Sequence, residues 1–309
     1  MKRSLRIGTC LALFWRVLYG IVLCLFGEGL GAAPVTFNTA LPVAQGEFVF
    51  RQLFVVNRAA NDPGPVKRKV SGWASVSVLG YGVSPRWTVF GVLPVVGEKT
   101  LSRDTSTGRE RRSAGGIGDL LLFSRYTLYQ RDRPGGTFRI APFLGVEAPT
   151  GQEDARDSQG RLPPDLQPGS GSWDGTAGVV ISRQTLAYQI DAQLSYRFNS
   201  KANHFKAGDR VSLDASWQYR LWPRQLKGGL PGFLYGVLET NASHQWKNKI
   251  SGHREPDSGG WRWFITPGFQ YVTRRWVLEG VVQLPVLQNL NGQALEQDWI
   301  VRTGFRIAF

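Results

Sequence analysis

Apolar and polar residues alternate strictly along several long stretches of the chain. From Tyr188 to Asn199 the apolar residues occupy even positions and the polar ones odd positions, and from Arg210 to Arg220 this order is reversed. A β-strand turns successive side chains to opposite faces, so each stretch predicts a strand with one apolar and one polar face. A sheet of a soluble protein with one solvent-exposed face shows the same alternation. The length of the stretches, about ten to thirteen residues, instead favours tilted strands that cross a bilayer.

Twelve such stretches predict an all-β fold, a transmembrane antiparallel up-and-down β-barrel. An even count brings both ends of the barrel to the periplasmic side. Long connections alternate with mostly short turns, as expected for extracellular loops and periplasmic turns, and tryptophans gather near the strand ends as in aromatic girdles. The long connections are 58–67, 98–116, 150–173, 200–208, 246–259 and 288–297. The predicted strands are 46–57, 68–80, 85–97, 117–129, 136–149, 174–183, 186–199, 209–221, 232–245, 260–272, 275–287 and 298–309.

The last predicted strand ends in an aromatic residue. Apolar and aromatic side chains fall at every second position from Trp299 to Phe309. This pattern resembles the terminal signal of bacterial outer-membrane barrels, which the barrel-assembly machinery reads. We therefore predict that Phe309 is an assembly signal and that this machinery is a partner.

The N-terminus has the pattern of a secretory signal. Basic residues from Lys2 to Arg16 precede an apolar run over 17–26, and small residues follow up to Ala33. A run of this length is too short to cross a bilayer as a helix. We predict a signal peptide over 1–33, cleaved between Gly31 and Ala33, and a barrel domain over 34–309 in the outer membrane of a Gram-negative bacterium. Because about a dozen residues remain before the first strand, no N-terminal plug is expected.

Removal of this signal changes the composition. Both cysteines, Cys10 and Cys24, lie inside it, so no disulfide or cysteine-ligated metal is expected. The remainder holds 33 basic and 22 acidic residues, a net charge of +11. No nucleic-acid-binding motif accompanies this charge, so outer-membrane lipid and lipopolysaccharide are the expected partners rather than nucleic acid.

The polar face of the strands predicts the lining of the lumen. One hypothesis is a pathway in which these side chains select solutes by charge and hydrogen bonding. The alternative is a closed, structural barrel in which the charges pair and fill a narrow lumen. The candidate lumen-lining residues are Arg51, Asp119, Arg125, Arg139, Glu147, Asp191, Arg197, Asp214, Glu239, Glu279, Arg302 and Arg306.

Catalysis is a weaker hypothesis. Outer-membrane phospholipases place a histidine and a serine two residues apart on an outward face, whereas His244 has Ala242 and Trp246 at that spacing. Ser251 and His253 have the spacing in a predicted loop. The acidic run over 153–157 lacks the pattern of a calcium loop. No catalytic residue, cofactor or metal is therefore expected.

Several short motifs resemble a family of outer-membrane transporters named for the meta-pathway of phenol degradation. The resemblance covers roughly 115–309 and implies uptake of aromatic or other small hydrophobic compounds, with the solute left open. The motifs are Gly116-Ile-Gly118-Asp119, Ala148-Pro149-Thr150-Gly151, Gly169-Ser170-Gly171-Ser172-Trp173, Thr266-Pro267-Gly268-Phe269-Gln270-Tyr271 and Val282-Gln283-Leu284-Pro285-Val286.

Overall fold

The chain forms a closed, twelve-stranded antiparallel β-barrel. A computed structural model describes residues 31–106, 108–225 and 232–309. Each strand pairs with the next along the chain, and the last pairs with the first, which closes the sheet. The strands are β1 (Phe48–Ala59), β2 (Lys69–Ser84), β3 (Trp87–Thr105), β4 (Leu120–Tyr126), β5 (Gly136–Ala148), β6 (Asp174–Thr185), β7 (Tyr188–Phe198), β8 (Arg210–Trp222), β9 (Phe233–Gln245), β10 (Gly260–Val272), β11 (Trp276–Leu290) and β12 (Trp299–Ala308).

The two faces of the sheet differ as the alternation requires. On β7, Ile190 and Leu194 are exposed on the outer surface, whereas Asp191 and Gln193 are buried in the interior. Apolar residues cover the outside, where lipid is the solvent, and polar groups face inward, where they find partners. The predicted barrel fold is thus confirmed. Within the described part of the chain, no helix is long and apolar enough to cross a membrane.

The second long connection is a hairpin rather than a loop. β3 continues to Thr105, and a further strand over Gly108–Ile117 pairs with its outer end. Opposite charges hold the two arms together, including Arg103 with Glu110 at 2.7 Å. The two arms are rich in charged residues. They therefore lack the apolar residue at every second position by which the other strands are recognised. The third long connection packs on this hairpin, with Leu162 and Leu166 buried against it.

β4 is shorter than predicted, and the chain beyond it projects from the periplasmic end. After a break at 127–128, the strand Tyr129–Arg133 pairs with the first residues of β5. The pairing of β3 with β4 ends at Trp87 and Tyr126, and the strand Tyr129–Arg133 lies beyond this last pair. The projecting hairpin, 129–140, therefore has one strand edge without a barrel neighbour.

The expectation that the barrel has no N-terminal plug is wrong. Residues 31–45, hereafter the N-terminal segment, lie inside the barrel and contact its inner wall. Ala40 is fully buried against β5 and β6, and Val35 packs against residues of β1, β9 and β11. Near its end the segment crosses β2 at Gly82, where a Cβ atom would lie 2.0 Å from the carbonyl oxygen of Ala44. Glycine is needed there because of this close approach.

Candidate functional site

Polar side chains of β6 to β10 bind the backbone of the N-terminal segment. Glu239 accepts hydrogen bonds from the backbone N–H groups of Val35 (2.6 Å) and Thr36 (3.1 Å). Further along, the Ser182 hydroxyl accepts one from the Ala40 N–H at 2.7 Å. Among the described residues, no strand pairs with the segment over this stretch, so the wall supplies the acceptors that its buried backbone requires.

Arginines bind the carbonyl groups of the same segment. Arg51 donates to the Pro34 carbonyl at 3.1 Å while its Nε atom lies 2.6 Å from Glu279. Arg125, buried on β4, donates to the Leu41 carbonyl at 2.6 Å and to the Asn38 side chain at 2.5 Å. Carboxylates of the wall thus bind backbone N–H groups of the segment, and guanidinium groups of the wall bind its backbone carbonyl groups. Together these contacts fix the course of the segment.

Two further predicted residues, Asp191 and Asp214, are buried among neutral donors. Asp191 accepts hydrogen bonds from Thr39 Oγ1 (2.9 Å) and Gln189 Nε2 (2.8 Å). Asp214 accepts one from Asn241 Nδ2 at 2.9 Å. Buried carboxylates require such partners, and here most of them come from the wall.

An ion-pair cluster lies nearer the extracellular end. Arg197 Nη2 is 2.8 Å from Glu147 and 3.3 Å from Asp174, a residue that the sequence did not single out. Its Nε atom donates to Asn199 at 2.9 Å. The cluster joins β5, β6 and β7 across the inner face, above the region that the N-terminal segment occupies.

The remaining predicted residues lie in three different places. Asp119 belongs to none of the barrel strands, and its carboxylate accepts the Gly151 N–H at 2.8 Å, so it anchors the third connection instead of lining a strand. Arg139 borders an internal cavity. On β12, Arg306 lies 3.4 Å from Glu279. The Nη1 atom of Arg302 is buried and has no hydrogen-bond partner among the described residues.

A cavity of about 570 Å³ lies between the N-terminal segment and the wall, which here consists mainly of β1 to β5 with residues of β6, β7 and β12. Its wall is largely apolar and aromatic. Phe90 and Phe123 stack at 4.5 Å between ring centroids, and Phe143 meets Phe123 edge-on at 6.5 Å. The guanidinium of Arg125 lies 5.0 Å from the Phe90 ring centroid. A volume of this size, with a mostly apolar wall that also carries polar groups such as Arg125 and Arg139, is typical of sites for small organic molecules.

This apolar wall was not predicted from the sequence, because every inward side chain was expected to be polar. In fact Phe90, Phe123 and Phe143 face inward, and outward neighbours such as Leu122 and Leu144 are apolar too. The sequence does indicate this apolar wall, since β3 to β5 carry apolar residues at both odd and even positions. A strand that is apolar on both faces predicts an apolar patch in the interior, and here Arg125 and Arg139 add charge beside it.

The histidine considered for catalysis contributes to an aromatic surface. The His244 ring lies 5.1 Å from Trp246 and 4.8 Å from Trp261, close to the extracellular end of β9. Its Nδ1 atom has no hydrogen-bond partner among the residues that the structure describes. An aromatic girdle explains this environment.

The closed barrel, with an apolar outer surface and a polar, partly aromatic interior, defines an outer-membrane β-barrel. The sequence model of the family described as "Putative MetA-pathway of phenol degradation" matches residues 43–283. The chain belongs to this family. A comparison with curated proteins gives no match.

Solved structures share the barrel at low sequence identity. The COG4313 outer membrane channel of Pseudomonas putida F1 is 12% identical, with a TM-score of 0.68 over 90% of this chain and 100% of that one. The translocator domain of the autotransporter NalP of Neisseria meningitidis is 11% identical, with a TM-score of 0.47 over 98% of this chain and 97% of that one. At these identities the first match shows a common fold, and the second carries no further weight.

Proposed function

We propose that the protein is a passive channel of the outer membrane for small apolar compounds, aromatic ones in particular. The observation that carries this proposal is the apolar cavity in the barrel interior. Its volume suits one or two small rings, and the stacked Phe90 and Phe123 offer the faces and edges that aromatic solutes prefer. The description of the family and the name of the Pseudomonas putida channel agree with this class of function.

The division of the lumen supports a path along one side. The N-terminal segment occupies the polar side, where Glu239 and Ser182 hold its backbone. The cavity lies on the other side, next to Val78 and Val92. An apolar solute that follows this side leaves the hydrogen bonds of the segment intact, so passage does not incur the cost of unpaired buried groups.

A matched pair of cavity variants tests the proposal. Val78→Trp places a ring in the cavity, whereas Leu79→Trp places the same ring on the lipid-facing surface of the same strand. In a planar bilayer, phenol and benzyl alcohol should interrupt the ion current of the wild type and of the Leu79→Trp variant, and glycerol should not. The Val78→Trp variant should lose these interruptions. Equal responses of the two variants would contradict the proposal.

The same measurement decides between a channel and a closed barrel. The closed form predicts no ion current in planar bilayers and no solute-dependent swelling of proteoliposomes. The channel predicts both. The ion pairs of Arg51 and Arg197 are compatible with either state, because they line the wall and leave the cavity unfilled.

We propose further that the chain is not an enzyme. A lipid hydrolase of the barrel type needs a serine on the outer surface whose hydroxyl donates its proton to a nitrogen of a neighbouring histidine. His244 instead packs between two tryptophans. Hydrolysis of phospholipid by the purified protein, lost on His244→Gln substitution, would contradict this.

The proposed precursor is cleaved within residues 31–33, so that the barrel domain is 34–309. Most of the predicted signal peptide, 1–30, lies outside the described residues. Ala32 and Ala33 are buried against the inner wall near Val272 and Val277. The intact mass of the protein extracted from outer membranes measures the cleavage site directly.

A further inference from the structure

Three arginines with no ion-pair partner among the described residues share the outer face of the barrel at its periplasmic end. Arg131 lies opposite Phe138, and Phe138 lies opposite Arg183, so these residues form one row across three strands. Arg133 is two residues beyond Arg131 on the same face. All three arginine side chains are exposed.

The phase of β6 shows that this row faces outward. Ser182 is fully buried and bonds to the N-terminal segment inside the barrel. Its neighbours Ile181 and Arg183 therefore point to the outer surface, and Ile181 is 38% exposed there. Toward the bilayer centre the same face continues with Ile190 and Leu144, both well exposed. Cationic side chains thus border an apolar, lipid-facing surface.

A pocket of about 410 Å³ lies between these arginines. It is formed where the projecting hairpin turns at Gly135 and Gly136, beside the end of β6. Tyr129 and Phe138 both line it, with ring centroids 6.1 Å apart in an edge-on arrangement. The pocket combines guanidinium donors with aromatic rings, the two kinds of group that suit a lipid headgroup.

The one carboxylate on the same short strand does not neutralise the pocket. Asp132 has the opposite phase to Arg131, and it accepts hydrogen bonds from Gln130 (2.5 Å) and Thr137 (2.6 Å). The Arg183 guanidinium lies 6.0 Å from the ring centroid of Tyr188, which holds it on the outer surface. The charge of the three guanidinium groups therefore remains available to a ligand from outside.

We propose that this pocket binds the phosphate of an anionic phospholipid in the periplasmic leaflet of the outer membrane. Guanidinium groups bind phosphate through paired hydrogen bonds. The acyl chains of such a lipid would extend along the exposed apolar residues on the bilayer side of the row. Charge complementarity and this continuous apolar surface favour a phospholipid over a soluble acidic protein.

Native mass spectrometry of the full protein in detergent tests the site. The wild type is titrated with phosphatidylglycerol and with phosphatidylcholine of the same chains. We expect preferential retention of phosphatidylglycerol, which Arg131→Gln combined with Arg183→Gln should abolish. Each arginine near an anionic lipid contributes a factor of about five, so the affinity for phosphatidylglycerol should fall by about 25-fold.

A matched control separates this site from general charge. Arg274→Gln with Arg275→Gln removes the same charge from another exposed turn at the periplasmic end. This control should retain the lipid preference, and heat-modifiable gel migration should show both variants folded. Equal retention of the two lipids by the wild type, or equal loss in both double variants, would overturn the proposal. Competition by a soluble acidic protein fragment but not by short-chain phosphatidylglycerol would identify a protein site instead and would also overturn it.

Discussion

The Glu239 carboxylate accepts a hydrogen bond from the backbone N–H of Val35 at 2.6 Å, between residues 204 positions apart in the chain. This contact fixes the N-terminal segment to the middle of β9. The same carboxylate accepts the Thr36 N–H. A single wall residue therefore satisfies two consecutive N–H groups with which no strand of the described chain pairs, and the position of the segment depends on this residue.

The first prediction follows from this contact. Glu239→Gln replaces a charged acceptor of two N–H groups by one amide oxygen, and should weaken the hold on the segment by on the order of 2 kcal/mol. The ion current in a planar bilayer should rise or fluctuate more as the segment leaves the wall. Asp214→Asn is the matched control, since Asp214 is a buried carboxylate that bonds wall amides rather than the segment. If both variants conduct like the wild type, the segment is not held in this way.

A second prediction concerns pH and the first connection between strands. Arg68 donates hydrogen bonds to Asp62 and lowers the pKa of Asp62 to about 2. A lowered pKa means that the pair stabilises the folded state above the ordinary carboxyl pKa of 3.8, and that this contribution is lost as the pH falls through about 2. Arg68 also donates to the Gln293 carbonyl, so the pair links two extracellular connections.

Asp62→Asn should therefore flatten the pH dependence between 4 and 2. The wild type should lose on the order of 1–2 kcal/mol of stability over this interval, after allowance for the partial exposure of Arg68. The measurement is the midpoint of heat-modifiable migration in detergent at several pH values. Asp104→Asn, in an exposed ion pair with Arg109, is the control and should change the profile little. A wild-type profile that does not fall between pH 4 and 2 would contradict the assignment.

The third prediction concerns Phe309 as the proposed assembly signal. Phe309 exchanges backbone hydrogen bonds with Phe48 (2.7 and 3.0 Å), and their rings stack at 5.8 Å. Phe309→Ala and Phe48→Ala each remove this stacking, and Phe48→Ala also removes a ring contact with Tyr81 at 4.7 Å, so refolded Phe309→Ala should be at least as stable as refolded Phe48→Ala. Only Phe309→Ala removes the proposed signal. Its level in outer membranes should fall several-fold below that of Phe48→Ala, and equal levels would exclude the signal.

The strands of the barrel were predictable where a single physical pattern dominates. β7 and β8 separate lipid from a polar interior at every position, so alternation marks them within a few residues of their ends. The hairpin beyond β3 was missed because Arg103 and Glu110 pair by charge. Both of its faces lie outside the bilayer, and no apolar periodicity is required there.

The N-terminal segment was not predictable from its own residues. It has no strand period, and its backbone is satisfied by side chains far away in the chain, such as Glu239 and Ser182. The indication lies in the wall instead. The inner wall carries more polar side chains, such as Glu239, Gln270 and Asp191, than the neighbouring strands can provide with partners. This surplus indicates that an additional stretch of backbone lies inside the lumen.

The last prediction tests the proposed role of the lumen charges in permeation. Glu147 lies 2.8 Å from Arg197 on the inner face, above the N-terminal segment, and Arg197 is partly exposed there. Glu147→Gln leaves Arg197 with Asp174 at 3.3 Å as its remaining acidic partner, and adds one net positive charge to the passage. A unit charge about 10 Å from an ion in water changes its energy by about 0.4 kcal/mol, which corresponds to about a twofold change in selectivity.

Reversal potentials under a salt gradient in a planar bilayer measure this change. Glu147→Gln should shift the preference toward anions by about twofold, and Arg197→Gln should shift it toward cations. Glu279→Gln, next to Arg51 and Arg306 in a fully buried site, should shift it in the same direction as Glu147→Gln and should also loosen the N-terminal segment, because Arg51 holds Pro34. Glu110→Gln in the extracellular hairpin is the control outside the barrel wall. Opposite shifts at positions 147 and 197, with none at position 110, would place the ion path along these charges, and identical reversal potentials in all variants would exclude it.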